Sequence, residues 1–413
     1  MKKTIGPSLL IIFLLFTGCL NDDVVRKYSF YRPVYKTTAE ARAEIRSSEP
    51  ISLSQPGKIY YKNGYVFLNE LYKGVHVIDI RNINQPRVVS FVKIPGCVDM
   101  AVRGNILYAD MYTDLVALDI SNPLDIKRTH IVEGVFPEGR WYNYMDTGKV
   151  ITDWIRVDTV VREKDYYTWA LASQDRGQVF LGGAGGPLAS SGGNPNGVGG
   201  SMARFALNKD RLYTVSTNDI KVFNTAVAEK PSYVKQVSIG WGIETIFPFD
   251  NYLFIGSTTG MYVFDAADQD NPVQKSRFEH ARVCDPVISD GENAYVTLRS
   301  GTTCAGFTNQ LEVVSVKDVT NPLLLAVYPM TNPHGLSKDG NTLLICEGDA
   351  GLRVLDASMP KDVKTLSLLK GFSTFDVIAL GGVALVTAKD GLYFVNYTDP
   401  KNPVISSSLK ITN

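Results

Sequence analysis

The stretch Gly391-Leu-Tyr-Phe-Val-Asn396, followed by Asn402-Pro403, decides how this chain is read. A turn-forming glycine opens it, an apolar strand follows, an Asn closes it, and a proline stops further ladder growth. Three more short strands surround it: Phe375-Asp-Val-Ile-Ala379, Val383-Ala-Leu-Val-Thr387 and Val404-Ile-Ser-Ser-Ser-Leu409. Gly381-Gly382 and Asp390-Gly391 supply reversals that need a positive φ. The unit is a four-stranded antiparallel meander, which cannot bury both of its faces alone.

The pattern recurs along the chain. It reads Gly74-Val-His-Val-Ile-Asp79 with Pro86, Asp114-Leu-Val-Ala-Leu-Asp119 with Pro123, and Asp219-Ile-Lys-Val-Phe-Asn224 with Pro231. It returns as Gly260-Met-Tyr-Val-Phe-Asp265 with Pro272, Leu311-Glu-Val-Val-Ser315 with Pro322, and Gly351-Leu-Arg-Val-Leu-Asp356 with Pro360. The closing positions 79, 119, 224, 265, 315, 356 and 396 are spaced by 40, 105, 41, 50, 41 and 40. A period near 40 is that of a β-propeller blade, in which radial stacking covers each meander's apolar faces. The spacing of 50 holds an insertion at residues 300–309, and the spacing of 105 leaves room for a degenerate unit. Val150-Ile-Thr-Asp-Trp-Ile-Arg-Val-Asp158 ends 39 residues beyond Asp119, where that unit would fall. The expectation is an all-β propeller of eight four-stranded blades, with seven the alternative. Gly, Pro and Asn interrupt every longer stretch and exclude a helical fold.

These units resemble the LVIVD repeat, and residues 50–413 look like the LVIVD-repeat lipoproteins of Bacteroidetes. The segments that carry the resemblance include Pro56-Gly-Lys-Ile-Tyr60, Asn69-Glu70 before Gly74-Val-His-Val-Ile-Asp79, Cys284-Asp-Pro-Val287, Tyr295-Val-Thr-Leu-Arg-Ser-Gly301 and Asn332-Pro-His-Gly-Leu336. The resemblance implies a β-propeller on a lipid tether and brings no catalytic residues with it.

The N-terminus fits that expectation. Lys2 and Lys3 precede an apolar run from Leu9 to Phe16, too short to span a bilayer and suited to a signal peptide. Phe16-Thr17-Gly18-Cys19 resembles a lipobox, which makes Cys19 the acylated residue and departs from the usual pattern at Phe16. Leu20 is followed by Asn21-Asp22-Asp23, which reads either as a surface-export signal or as a solvated tether. The domain reading is therefore a signal peptide at 1–18 and a lipidated cysteine with its tether at 19–50, including a short helix at 38–46. The propeller occupies 51–413, with insertions near 164–200 and 300–309. Localisation follows as the outer membrane, on its periplasmic or cell-surface side. Export permits disulfides; Cys284 and Cys304 flank one strand-turn unit and are expected to pair, while Cys97 and Cys346 read as buried free thiols.

The 413 residues are 45% hydrophobic and carry 42 basic and 42 acidic side chains, so no net charge draws the chain to nucleic acid. The Gly-rich segment 182–197 has no lysine and runs into Pro187, which excludes a phosphate loop. The four histidines, His76, His130, His280 and His334, form no close metal pair, and His76 is expected to face solvent. No serine-hydrolase elbow or Cys-x-x-Cys occurs. Counting back 20 to 22 residues from the closing positions, with allowance for the insertion, lands at the start of each inner strand. The residues there are Asp99, Arg204, Glu244, Asp285, His334 and Asp376. Their convergence at a channel mouth either binds a cation, sugar or peptide terminus, or serves neighbouring backbone and channel water. The insertion at 300–309 and the loop at 166–200 form a second candidate surface, or the Cys284–Cys304 bridge merely restrains the insertion. The functional expectation is a non-catalytic envelope protein without a cofactor, held to the membrane by its lipid and contacting a protein or glycan. The alternative is a polysaccharide hydrolase or lyase that uses the channel-mouth carboxylates as acid and base.

Overall fold

The computed structural model describes residues 25–136, 148–162, 198–279, 286–300 and 308–411. The chain divides into two compact units, residues 1–36 with 151–181, and residues 37–150 with 182–413. In the first, strands Val25–Thr37 and Lys149–Arg162 pair as a two-stranded ribbon. Ser29 and Arg156 both bond Asp158 on it, and the Thr152 hydroxyl donates to the Val34 carbonyl.

The second unit is a β-propeller of seven blades, not eight. The blades span residues 56–93, 100–132, 205–238, 243–279, 287–329, 336–369 and 374–410. The stretch at 150–158 accounts for the difference. It lies inside the strand Lys149–Arg162, a run with no Gly, Pro or Asn to supply the three reversals that a blade requires. The last blade has strands Thr374–Ala379, Val383–Ala388, Gly391–Asn396 and Val404–Lys410, in the order expected from sequence.

Each blade repeats the same local chemistry. The Asp or Asn after the third strand accepts from the backbone N–H two residues ahead, as in Asp119 to Ser121 at 2.8 Å, Asp265 to Ala267 at 2.8 Å and Asn396 to Thr398 at 2.9 Å. The outer strand then carries a bulge near its middle in every blade, for example between Val354 and Leu355, which twists the exposed edge. Just past the bulge the fourth residue of the strand reaches forward to the next blade. Ser90 donates to Pro123, Ser276 to Val319, Ser367 to Pro400 and Ser407 to Ile83, the last of these linking blade 7 to blade 1.

The core is a belt between blades. Ile378, Leu385 and Phe394 of blade 7 pack on Ile59, Val66 and Leu68 of blade 1, so side chains close the ring. A fully buried Leu, Ile or Phe contributes about 2 kcal/mol. Blade 1 gains a strand on each edge. Arg46–Ser48 extends it outward, after a helix at Thr38–Ala43 that starts with a capping box between Thr37 and Glu40. Val198–Gly199 extends it inward, toward the axis. Among the described residues no helix is long and apolar enough to cross a membrane.

Candidate functional site

Antiparallel meanders place the starts of all inner strands, and the ends of the second and outer strands, on one face. The Asx turns lie on the other. Five of the six residues singled out by counting are on the first face, at or beside the starts of inner strands: Asp99, Arg204, Glu244, His334 and Asp376. Asp285, Cys284, Cys304 and Cys19 lie outside the described residues. Lys58 of blade 1 belongs to the set and escaped the count, although the same step of 21 back from Asp79 lands on it.

The ring is filled. Val198 and Gly199 pair with Tyr61 and Tyr60 on the inner edge of blade 1. Leu336 N of blade 6 then donates to Ser201 Oγ at 2.9 Å, Lys58 Nζ to the Met202 carbonyl at 2.6 Å, and Ile246 N of blade 4 to the Ala203 carbonyl at 2.9 Å. Arg204 N donates to Asp99 Oδ2 of blade 2 at 2.7 Å. Residues 198–204 thus bond to blades 1, 2, 4 and 6 before entering blade 3, and Ser201, Met202 and Ala203 are buried. A Cβ on Gly199 would lie 2.8 Å from the Tyr60 ring, so the segment passes where a larger residue has no room.

Asp99 is the hub of this crossing. Its carboxylate takes Lys58 Nζ at 3.1 Å, Arg204 N, and Met100 N at 2.7 Å, and both ionic partners are buried. His334 is buried as well. Its backbone N–H donates to the Cys346 carbonyl, its carbonyl accepts from Thr297, and its ring meets Phe375 edge-on at 5.5 Å. Burial and the nearby Arg299 guanidinium lower its pKa to about 3, leaving a neutral imidazole at neutral pH. Burial lowers the Arg299 pKa too, against the opposing charge of Glu244. Asp376 is fully buried, and neither carboxyl oxygen has a hydrogen-bond partner; Thr387 Oγ1, on its cross-strand neighbour, has none either. Burial raises the Asp376 pKa well above the ordinary carboxylate range, and the Lys58 charge offsets only part of that.

A second set of carboxylates lies behind the ring, nine residues before the closing position of three blades. Each accepts two consecutive backbone N–H groups from the loop leading to its own inner strand. Glu70 takes Ser54 and Gln55, Asp110 takes Val98 and Asp99, and Glu347 takes Thr331 and Asn332. A basic side chain six residues on completes two of them, His76 beside Glu70 at 3.1 Å and Arg353 beside Glu347. His76 is therefore fully buried, against the expectation of a surface residue, with its ring 5.0 Å from Phe91. Alternation misplaces it because third strands are covered on both faces. Burial raises the Asp110 pKa to about 6 despite its two amide bonds. At Glu70 the bonds from His76, Ser54 and Gln55 outweigh burial and hold the pKa at about 2. Cys97 and Cys346 are buried free thiols, as expected. Among the described residues no group of three or more His, Cys, Asp or Glu is placed to hold a metal ion.

No protein-family model matches the chain, and no curated protein matches it. Solved structures do. The computationally designed Ika8 protein superposes with a TM-score of 0.52 at 10% identity, over 88% of this chain and 92% of that one. The likeness is one of fold. BamB from Moraxella catarrhalis has a TM-score of 0.48 at 12% identity, over 91% of each chain. PorZ, a surface component of the type-IX secretion system of Porphyromonas gingivalis, has a TM-score of 0.49 at 10% identity, over 87% of this chain and 39% of that one. Identities this low bring no residue's role with them.

Proposed function

We propose that this chain is an envelope lipoprotein of the LVIVD-repeat type, anchored through Cys19, whose propeller is a non-catalytic module presenting its ring face to a protein or glycan partner. The observation that carries the reading is where the charged groups of the ring are spent. Asp99 is saturated by Lys58 and two amides, Asp376 is sealed from solvent, and residues 198–204 fill the space between them. An acid–base pair for glycan cleavage needs both carboxyl groups in contact with substrate. These two are 2% and 0% exposed. Selective contacts then fall to the loops around the ring, which is where rigid scaffolds commonly carry them.

Two experiments test this. Labelled palmitate should enter the wild-type chain and not Cys19→Ala, with the label in the outer-membrane fraction. In-cell photocrosslinking from the ring face should give discrete partner bands that crosslinkers on the Asx-turn face do not give. Cleavage of any envelope polysaccharide by the purified chain, abolished by Asp99→Asn with Asp376→Asn, would overturn the non-catalytic reading.

A further inference from the structure

Trp241 is 77% exposed on the ring face, in the loop between the outer strand of blade 3 and the inner strand of blade 4. Tryptophan is highly buried on average, and an indole held out in solvent usually marks a contact surface. This one is held firmly. Ile239 N donates to the Asn218 carbonyl at 3.0 Å, Ile243 N to the Thr217 carbonyl at 3.0 Å, and Thr258 N to the Gly242 carbonyl at 2.8 Å. The loop is thus fastened on both sides of the ring to the turns of two blades, and little ordering remains for a ligand to impose.

The flanking glycines are required by this geometry. A Cβ on Gly240 would lie 2.9 Å from the Tyr262 hydroxyl. At Gly242, where φ is +79°, it would lie 2.1 Å from Thr258 Oγ1. Neither position carries a side chain that could cover the indole.

The surroundings of the ring are polar. The Arg277 guanidinium stands 5.3 Å from the Tyr262 ring centroid, donates to Thr259 Oγ1 at 3.0 Å and pairs with Glu279 at 3.2 Å. Trp241 is the one exposed large hydrophobic in residues 235–244 and 256–262, all of which are described. The centre of a protein interface would need several apolar neighbours, and a lipid surface would need an extended apolar face. A lone aromatic plate beside a guanidinium, a carboxylate and a hydroxyl suits a ligand with one C–H face and a rim of hydroxyls.

We infer that Trp241 is the stacking platform of a saccharide subsite, with Arg277, Glu279 and Thr259 as partners for the sugar hydroxyls. This rests on the binding-module reading above and narrows its partner to a glycan. The test is calorimetric titration of the full chain with cellohexaose, maltohexaose and mannohexaose, backed by affinity electrophoresis in gels containing the matching polysaccharides. At least one should bind the wild type. Trp241→Ala should weaken that binding by about thirtyfold or more, the factor that marks a central contact residue, while Trp241→Phe should retain part of it and Arg277→Gln should weaken it less. An unchanged melting temperature in Trp241→Ala would show that the loss is not one of folding. If none of the three glycans binds, or if binding ignores Trp241→Ala, the assignment is overturned. The crosslinking test uses no added glycan, so the broader reading would then stand or fall separately. A crosslinked protein lost in Trp241→Ala without any glycan binding would likewise assign the indole to a protein and end the saccharide proposal.

Discussion

Lys58 of blade 1 forms a buried ion pair with Asp99 of blade 2, Nζ to Oδ2 at 3.1 Å, and gives a second hydrogen bond to the Met202 carbonyl of the segment crossing the axis. One ammonium thus holds two blades and the crossing chain together. Removing either partner leaves a buried charge, which costs about 3–5 kcal/mol, whereas a matched apolar replacement of both costs much less. Lys58→Met should lower stability on that order. Lys58→Met with Asp99→Leu should recover part of the loss, limited by the amides of Arg204 and Met100 left unpaired. A double-mutant cycle in urea measures the coupling, and a neutral Lys58→Met would remove the pair from any account of ring assembly.

The fold was legible where the chemistry is local. Asx residues, prolines and alternating strands recur every 40 residues because each blade must reverse three times, and these marks located seven blades and, within a residue or two, all four strands of the last. The eighth blade was a product of spacing alone: residues 150–158 lie at the right distance but lack turn residues. Counting from the closing positions also found the ring, because blade geometry fixes that interval. It could not say that the ring is occupied, since the pairing of Gly199 with Tyr60 and of Ser201 with Leu336 joins parts of the chain more than 130 residues apart. The burial of His76 was hidden for a related reason. Its partner Glu70 can be seen six residues away, but the covering of both strand faces depends on neighbouring blades.

Asp376 gives a prediction with a definite sign. Its pKa lies above the unfolded value of about 3.9. The folded chain therefore keeps a proton that the unfolded chain releases, and stability falls as pH rises from about 4 toward the folded pKa. Asp376→Asn removes that slope and should make the protein more stable than wild type at pH 7. Urea denaturation at half-unit steps from pH 4 to 8 would show it. A variant less stable than wild type at pH 7 would mean that the carboxylate is ionised and partnered.

Glu70 has the opposite sign. Its pKa is depressed to about 2, so its contribution is complete above the unfolded value of about 4.3 and is lost as pH falls through about 2. Glu70→Gln keeps one acceptor but turns an NH₂ group toward the Ser54 and Gln55 amides, and should cost about 2 kcal/mol at pH 7. The gap between variant and wild type should narrow on acidification from pH 4.5 to 2.5. Thermal denaturation across that range is the measurement, and a gap that does not change with pH would rule out the ionised carboxylate as the source.

Gly391 tests the repeat itself. It has a φ of +145°, as do Gly74, Gly260 and Gly351 at closely related values of +148°, +155° and +103°. A Cβ on Gly391 would meet the Leu409 carbonyl oxygen at 2.0 Å, and one on Gly351 would meet that of Leu369 at 2.0 Å. The third strand of these blades begins so close to the outer strand that only a hydrogen fits. Blades 2 and 3 open their third strands with Asp114 and Asp219 instead, and neither has a positive φ. Gly391→Ala should therefore cost on the order of 3 kcal/mol through steric and backbone strain. Asp219→Ala meets no such clash and should lose only the Lys221 and Gln236 contacts of its carboxylate. Gly391→Ala should also speed hydrogen exchange at the Lys410 and Leu392 amides, whereas exchange in blade 2 should stay as in the wild type. If Gly391→Ala melted with the wild type, the glycine of the repeat would reflect turn composition and not the close approach of two strands.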